Sequence, residues 1–282
     1  KVMLGRIRRD AESIVINGTG IQGVTSATLG YDSAASSPLS NLGINRIQYA
    51  PQGPQTASLQ LNTLLTHYFP ENYADITASD HMLNFTGDLP FSGIVSYGDE
   101  RIEFTEAYLE TYSVSCGVGE IPSTSTTSVI YGQMGTGNNV PSWEQSSAST
   151  PTLSIPSYSS MEVNLDEFNT NRMLSFSVEI ATPRVPLYAV GLDSPTGVIA
   201  GTPIEVNVNF VLDIDDYEIK NMRFVPEQTV FQNTTITLNK NNSQDKIIEY
   251  SFQDMLLTSE SFQASADGNA GANFNLRSFI LR

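Results

Sequence analysis

Ile204-Glu205-Val206-Asn207-Val208-Asn209-Phe210-Val211-Leu212-Asp213 is the stretch that decides the fold. Ile204, Val206, Val208, Phe210 and Leu212 fall on one side of a period of two. Glu205, Asn207, Asn209 and Asp213, with Val211, fall on the other. Successive side chains of a strand point to opposite faces, so this stretch reads as a strand with one dry face and one wet face. Leu174, Phe176, Val178 and Ile180 alternate in the same way with Met173, Ser175, Ser177 and Glu179. Leu59 and Leu61 alternate with Ser58, Gln60 and Asn62, and Tyr112, Val114, Cys116 and Val118 with Thr111, Ser113, Ser115 and Gly117. Such alternation belongs to antiparallel sheet. The wet positions are mostly Ser, Thr, Asn and Gln, with few Lys or Arg, which is unusual for an outer surface. Helix is scarce. Residues 215–222 offer one or two turns behind Asp caps, and a counterpart is expected within 64–76, interrupted at Pro70.

The same motif order is written twice. Pro38-Leu39, Leu42 and Gly43 recur as Pro186-Leu187, Val190 and Gly191 at an offset of 148, and Gly53 maps to Gly201 at the same offset. Leu59-Gln60-Leu61-Asn62 matches Val206-Asn207-Val208-Asn209 at 147, and Ile102-Glu103-Phe104-Thr105 matches Ile248-Glu249-Tyr250-Ser251 at 146. Collinear matches of this spacing indicate a duplicated domain, because the repeat is too long for a solenoid unit and fits a small domain. The expected organisation is a basic arm at 1–9, a first β domain at 10–140, a Ser/Thr/Pro-rich linker at 141–156 and a second β domain at 157–282. Two long connections, 33–53 and 181–202, carry the Pro-Leu motif, and loops of that length are often functional.

Thirty acidic residues against fourteen basic ones give a net charge of −16, a field that repels nucleic-acid phosphates. The basic residues are uneven, with Lys1, Arg6, Arg8 and Arg9 at the start of the chain, where they can meet an acidic patch on a neighbouring copy. Cys116 stands alone, so no internal disulfide is expected, and no apolar run is long enough to span a membrane. Gly18-Thr19-Gly20-Ile21-Gln22-Gly23 has the spacing of a dinucleotide fingerprint, but a strand-like segment follows where a helix is needed, so it reads as a turn. The acids from Asp213 to Glu218 lack the central glycine of a calcium loop, and His67 and His81 have no companions at metal-ligand spacing. No catalytic constellation, cofactor or metal is expected.

The turn Ile16-Asn17-Gly18, the strand ending at Tyr31-Asp32 and the Pro38-Leu39 loop together resemble major tail tube proteins of tailed bacteriophages. Phe91-Ser92-Gly93, Ala107-Tyr108-Leu109 with Tyr112-Ser113-Val114, and Val118-Gly119-Glu120-Ile121-Pro122 are similar as well. So are residues 216–222 and 233–237 of the second half. The resemblance implies two tandem β-sandwich domains whose strands join those of neighbours in a shared barrel around a channel, with rings stacked into a virion tube assembled in the host cytoplasm. A two-domain chain would form trimers with pseudo-sixfold symmetry. DNA would pass through the lumen without specific binding, and other tail proteins would meet the tube ends. Lumen-lining positions would be Ser58, Gln60, Asn62, Thr111, Ser113, Ser115, Ser175, Ser177, Glu179, Glu205, Asn207 and Asn209. Contacts between subunits or rings would come from Arg6, Arg8, Arg9, Pro38, Leu39, Leu42, Pro186, Leu187 and Val190. A ring or hub protein of the tail tip, built on the same fold, is the alternative. A carbohydrate-binding β-sandwich using Trp143 and the tyrosines is the second.

Overall fold

The computed structural model describes residues 12–21, 23–32, 56–65, 71–73, 76–78, 81–97, 100–136, 156–166, 168–190, 192, 194–213, 229–240, 246–264 and 270–280. Most of them lie in strands. The first half contributes β1 (Glu12–Ile16), β2 (Thr19–Ile21), β3 (Val24–Asp32), β4 (Thr56–Leu64), β5 (Glu71–Tyr73), β6 (Ile76–Ala78), β7 (Phe91–Tyr97), β8 (Glu100–Gly117), β9 (Ser123–Ile130) and β10 (Met134–Thr136). The second contributes β11 (Pro156–Leu165), β12 (Phe168–Thr170), β13 (Met173–Ala181), β14 (Arg184–Leu187), β15 (Gly197–Ala200), β16 (Ile204–Asp213), β17 (Val230–Lys240), β18 (Lys246–Gln263) and β19 (Gly271–Ile280).

Each half is a sandwich built around one long strand. In the first, β8 pairs through its N-terminal part with β7, which continues to β1 and β2, and through its C-terminal part with β9, which continues to β4 and β3. In the second, β18 pairs first with β17, which continues to β11 and β12, and then with β19, which continues to β16 and β13. All of these pairings are antiparallel. The long strands change sheets at Glu106 and Asp254, whose φ angles are 53° and 51°. The first turns correspond too. Asn17 between β1 and β2 has φ 46°, and Asp166 between β11 and β12 has φ 48°. Asn and Asp tolerate the left-handed region best after glycine. Both use their side chains as clamps. The Asn17 carbonyl oxygen accepts the Ser92 amide at 2.9 Å, while Asp166 accepts the amides of Asn233 and Gln232 at 2.8 and 3.0 Å.

These features lie 148 or 149 residues apart and correct the offsets of 146 and 147. A bulge precedes both Ser26 opposite Asn62 and Ser175 opposite Val211, which sets β4 against β16 at 149. A period of two makes side-chain matching blind to a slip of two residues, and only backbone irregularities remove the ambiguity.

The core is continuous across both halves. Leu59, Leu61, Phe104, Leu109, Tyr112 and Val114 share one buried cluster with Val178, Ile180, Val206, Val208, Phe210 and Phe274. Full burial of each aliphatic or aromatic side chain is worth about 1.5–3 kcal/mol relative to exposure. Across neighbouring strands, Phe91 of β7 packs edge-on against Phe104 of β8 with ring centroids 6.1 Å apart, and Phe210 stacks on its ladder partner Phe274 at 5.0 Å. Gly93 is a close approach. A Cβ there would lie 2.6 Å from Phe104 Cζ and 2.7 Å from the Val15 carbonyl oxygen, so a larger residue would force the neighbouring backbone and ring to shift.

Several expectations change. The helix expected within 64–76 is absent among the described residues. Leu64 ends β4, and β5 and β6 form a small hairpin, because Tyr73, Ile76 and Thr77 prefer strand and Thr77 pairs with Ser251 of β18. The helical turns lie later, as a 3-10 helix at His81–Phe85. The connection 181–202 contains the β14–β15 hairpin, not an irregular loop. Pro156 already belongs to β11, opposite Lys240, and Val118 lies beyond β8, 56% exposed. The helix at 215–222, the linker core, Trp143 and the loop 33–53 lie outside the described residues.

Candidate functional site

β8 has a second neighbour that joins the halves. Its C-terminal part pairs with β13 from Thr111 opposite Ala181 to Gly117 opposite Ser175, in unbroken register. One sheet therefore runs through both halves in the order β3-β4-β9-β8-β13-β16-β19-β18. Among the described residues it is open, with β3 and the C-terminal part of β18 as its edges.

All twelve polar positions marked by the alternation lie on the wet face of this sheet, in rows that cross strands. One row runs Thr28, Gln60, Thr127, Thr111, Ala181, Glu205 and Phe279. The next runs Ser26, Asn62, Ser125, Ser113, Glu179, Asn207 and Arg277, and the third Ser123, Ser115, Ser177, Asn209, Asn275 and Ser259. Ser58 and Ser175 extend the face at either end of these rows. Ser58, Gln60, Ser115, Ser177 and Glu179 are exposed, and the other seven are half-buried against their neighbours.

The β9 members of these rows were invisible to hydropathy. Ser123, Ser125 and Thr127 face solvent, but the residues between them on the core side are Thr124, Thr126 and Ser128, each at most 2% exposed. Both faces of β9 carry hydroxyls, so no apolar stripe marks it. The core side satisfies some of them internally, as where Thr124 and Thr63 share a hydrogen bond. Asn273, Asn275 and Arg277 of β19 were legible, since they alternate with the buried Ala272, Phe274 and Leu276.

Arg277 is the one cation among the described residues of this face, and its charge is engaged. Its guanidinium lies 2.9 Å from a Glu205 carboxylate oxygen and 4.5 Å over the Phe279 ring. Asn207 donates to the other Glu205 oxygen at 2.9 Å. The Asn207 hydrogen bond first, and then Arg277, hold the Glu205 carboxyl below its ordinary pKa. Among the described residues, uncharged amides and hydroxyls with a few acids remain, a face that is hydrated but offers phosphate no free cation.

A second surface grows from the junction. Arg184, at the base of the β14–β15 hairpin, is buried against the first half. Its Nε donates to the Leu109 carbonyl at 2.7 Å, Nη1 to Gly87 at 2.7 Å and Nη2 to Phe85 at 3.0 Å. The Thr182 hydroxyl also donates to Leu109, and Asp88 accepts the Ala200 amide. Beyond this anchor the hairpin exposes Val185, Leu187, Tyr188, Val190, Leu192 and Ile199. Of the expected contact residues, Leu187 and Val190 are in this apolar patch and Pro186 is half-buried within it. Arg6, Arg8, Arg9, Pro38, Leu39 and Leu42 lie outside the described residues.

Burial pushes the Cys116 thiol up to about 11, helped by Glu120, which suits a core side chain and not a nucleophile. Gly18 and Gly23, with φ 78° and 73°, sit in turns between strands. Among the described residues no group of three His, Cys, Asp or Glu could hold a metal, and no helix is long and apolar enough to cross a membrane. A polar hollow of about 400 Å³ over β11, β12, β17 and β18 is lined by residues that include Glu162, Asn169, Thr235, Lys246 and Glu249, with no aromatic platform for a sugar ring. Compared with known proteins, the chain matches no family model and no curated sequence.

Proposed function

We propose that this chain is a structural virion protein, not an enzyme. Its copies close into rings, and the rings stack into a phage tail tube with the polar sheet face as lumen. The observation that carries this reading is the eight-stranded sheet, continuous through both halves, with one face of amides, hydroxyls and acids and one paired cation. A duct for DNA needs such a face. DNA carries about one negative charge per 1.7 Å of axis, so a row of free Lys or Arg would grip it at successive phosphates. Acids and amides keep it hydrated, and repulsion fades over a Debye length of about 8 Å.

Eight strands per chain also support a ring of three copies. Three copies give 24 strands. At about 4.8 Å between strands these enclose a backbone diameter of at least ~37 Å, wider still when tilted. Two copies give 16 strands and about 24 Å before tilt, a barrel with a much narrower aqueous channel. The apolar hairpin tip serves contacts between stacked rings, with the N-terminal arm and the loop 33–53 as further contact elements. Assembly takes place in the host cytoplasm, and other tail proteins cap the ends. The resemblance in motif order supports the same reading. Negative-stain images of purified protein test it. Tubes are expected. Single rings that never stack point to a tail-tip part, and persistent monomers overturn the proposal.

A further inference from the structure

The junction inside the chain is a template for a junction between chains. Within the chain, β13 lies along the C-terminal part of β8, and Val178 faces Val114 with both side chains at most 1% exposed. β3 holds in the first half the place of β13, 149 residues earlier. The C-terminal part of β18 holds in the second half the place of that part of β8, 148 residues later. Among the described residues these two edges pair only inward, with β4 and β19, and they lie at opposite ends of one sheet. Neither carries the Lys or Pro that commonly blocks strand addition. Both leave core-side apolar groups uncovered. Phe262, the counterpart of Val114, is 43% exposed, and Tyr31, the counterpart of Ile180, is 54% exposed.

We infer that β3 of one copy pairs antiparallel with residues 259–263 of the next, and that the register is inherited from the internal junction. Shifting the internal pairs places Thr28 opposite Gln263, Leu29 opposite Phe262, Gly30 opposite Ser261, Tyr31 opposite Glu260 and Asp32 opposite Ser259. In this register Leu29 and Phe262 meet on the core side, as Val178 and Val114 do. Thr28, Gly30 and Asp32 continue the polar face beside Gln263, Ser261 and Ser259. A slip of one residue would turn the apolar set into the channel. The inference rests on the ring-forming reading and adds to it the partner strands and their alignment.

Paired cysteines test the register. Adjacent pairs in an antiparallel ladder alternate between hydrogen-bonded and more closely spaced classes, so either 29/262 or 28/263 falls in the class whose side chains approach more closely. Leu29→Cys with Phe262→Cys, and separately Thr28→Cys with Gln263→Cys, are oxidised and run on non-reducing gels. Thr28→Cys with Phe262→Cys places the thiols on opposite faces and serves as control. At least one in-register pair is expected to link most chains into two- and three-chain species, and the control to link few. Rings or tubes in which neither in-register pair links, or in which the control links equally well, overturn the register. Linked seams in a sample without rings or tubes support the register and count against the tube. Phe262→Lys changes only a half-exposed edge side chain, so thermal unfolding should hold while assembly falls at least tenfold. Undiminished assembly overturns the seam.

Discussion

The hydroxyls of Tyr112 and Tyr250 meet in a buried hydrogen bond of 2.8 Å, one from β8 of the first half and the other from β18 of the second. Both rings are fully buried, and Tyr250 stacks further on Phe252. The halves therefore share a core, not merely a sheet edge, and should unfold together. Calorimetry is expected to give one transition for the chain. Tyr112→Phe should lower stability by about 1 kcal/mol, and Tyr112→Ala by about 3–5 kcal/mol through the cavity it leaves. Two well-separated transitions in the unaltered protein would contradict a shared core.

Arg184 fixes the hairpin to the first half through the main-chain carbonyls of Leu109, Gly87 and Phe85, sharing the first with the Thr182 hydroxyl. Arg184→Met keeps the stem but removes every donor, leaving buried carbonyls of Leu109 and Phe85 without it. A loss of about 2–4 kcal/mol is expected, read from the urea midpoint at unchanged slope. Arg184→Lys should recover only part, because a point charge cannot serve carbonyls spread around a planar fork. A midpoint unmoved by Arg184→Met would mean that the hairpin is held by other contacts.

The polar face is expected to tolerate DNA without holding it. Gln60→Lys with Ser115→Lys places two cations on exposed positions of separate strands. Folding and assembly should stay close to normal. Tubes of the variant should retain labelled duplex at physiological salt and release it as salt rises, while unaltered tubes retain none. Equal behaviour of the two would remove the argument for an uncharged lumen.

Glu205 gives this face a pH dependence of known sign. Its folded-state pKa is depressed, chiefly by the Asn207 hydrogen bond and then by Arg277, so its contribution to stability is present above the unfolded value. That contribution is lost as pH falls through the lower folded value, below 4.5. Glu205→Gln should therefore flatten the acid limb of the stability curve by lowering its neutral part, with little change at the acid end. A Glu205 titration by NMR at or above 4.5 would contradict the assignment.

The alternating strands were legible because one face of each carries Leu, Ile, Val or Phe, and all twelve polar positions fall on a single wet face. The whole extent of that face was not. β9 hides its alternation behind Thr124, Thr126 and Ser128, hydroxyls that pack as core. The duplication was readable from side-chain types, but its alignment was short by two residues in β4 and β8. The kinks at Glu106 and Asp254 are backbone events with no fixed side-chain signature. The hairpin with Pro186 read as a loop, since proline argues against a central strand. It is tolerated here in a two-stranded ribbon. The junction of β8 with β13 was beyond reach, because pairing between halves depends on topology that no local pattern encodes.

A three-dimensional reconstruction of the assembled particle tests the central claim most directly. The account predicts threefold symmetry of whole chains of 30.7 kDa, about 92 kDa per ring, and a closed barrel of 24 strands. Gln60, Asn62, Ser177, Asn207 and Asn209 should face the channel. Sixfold symmetry of whole chains, or a particle with these residues on its outer wall, would contradict it.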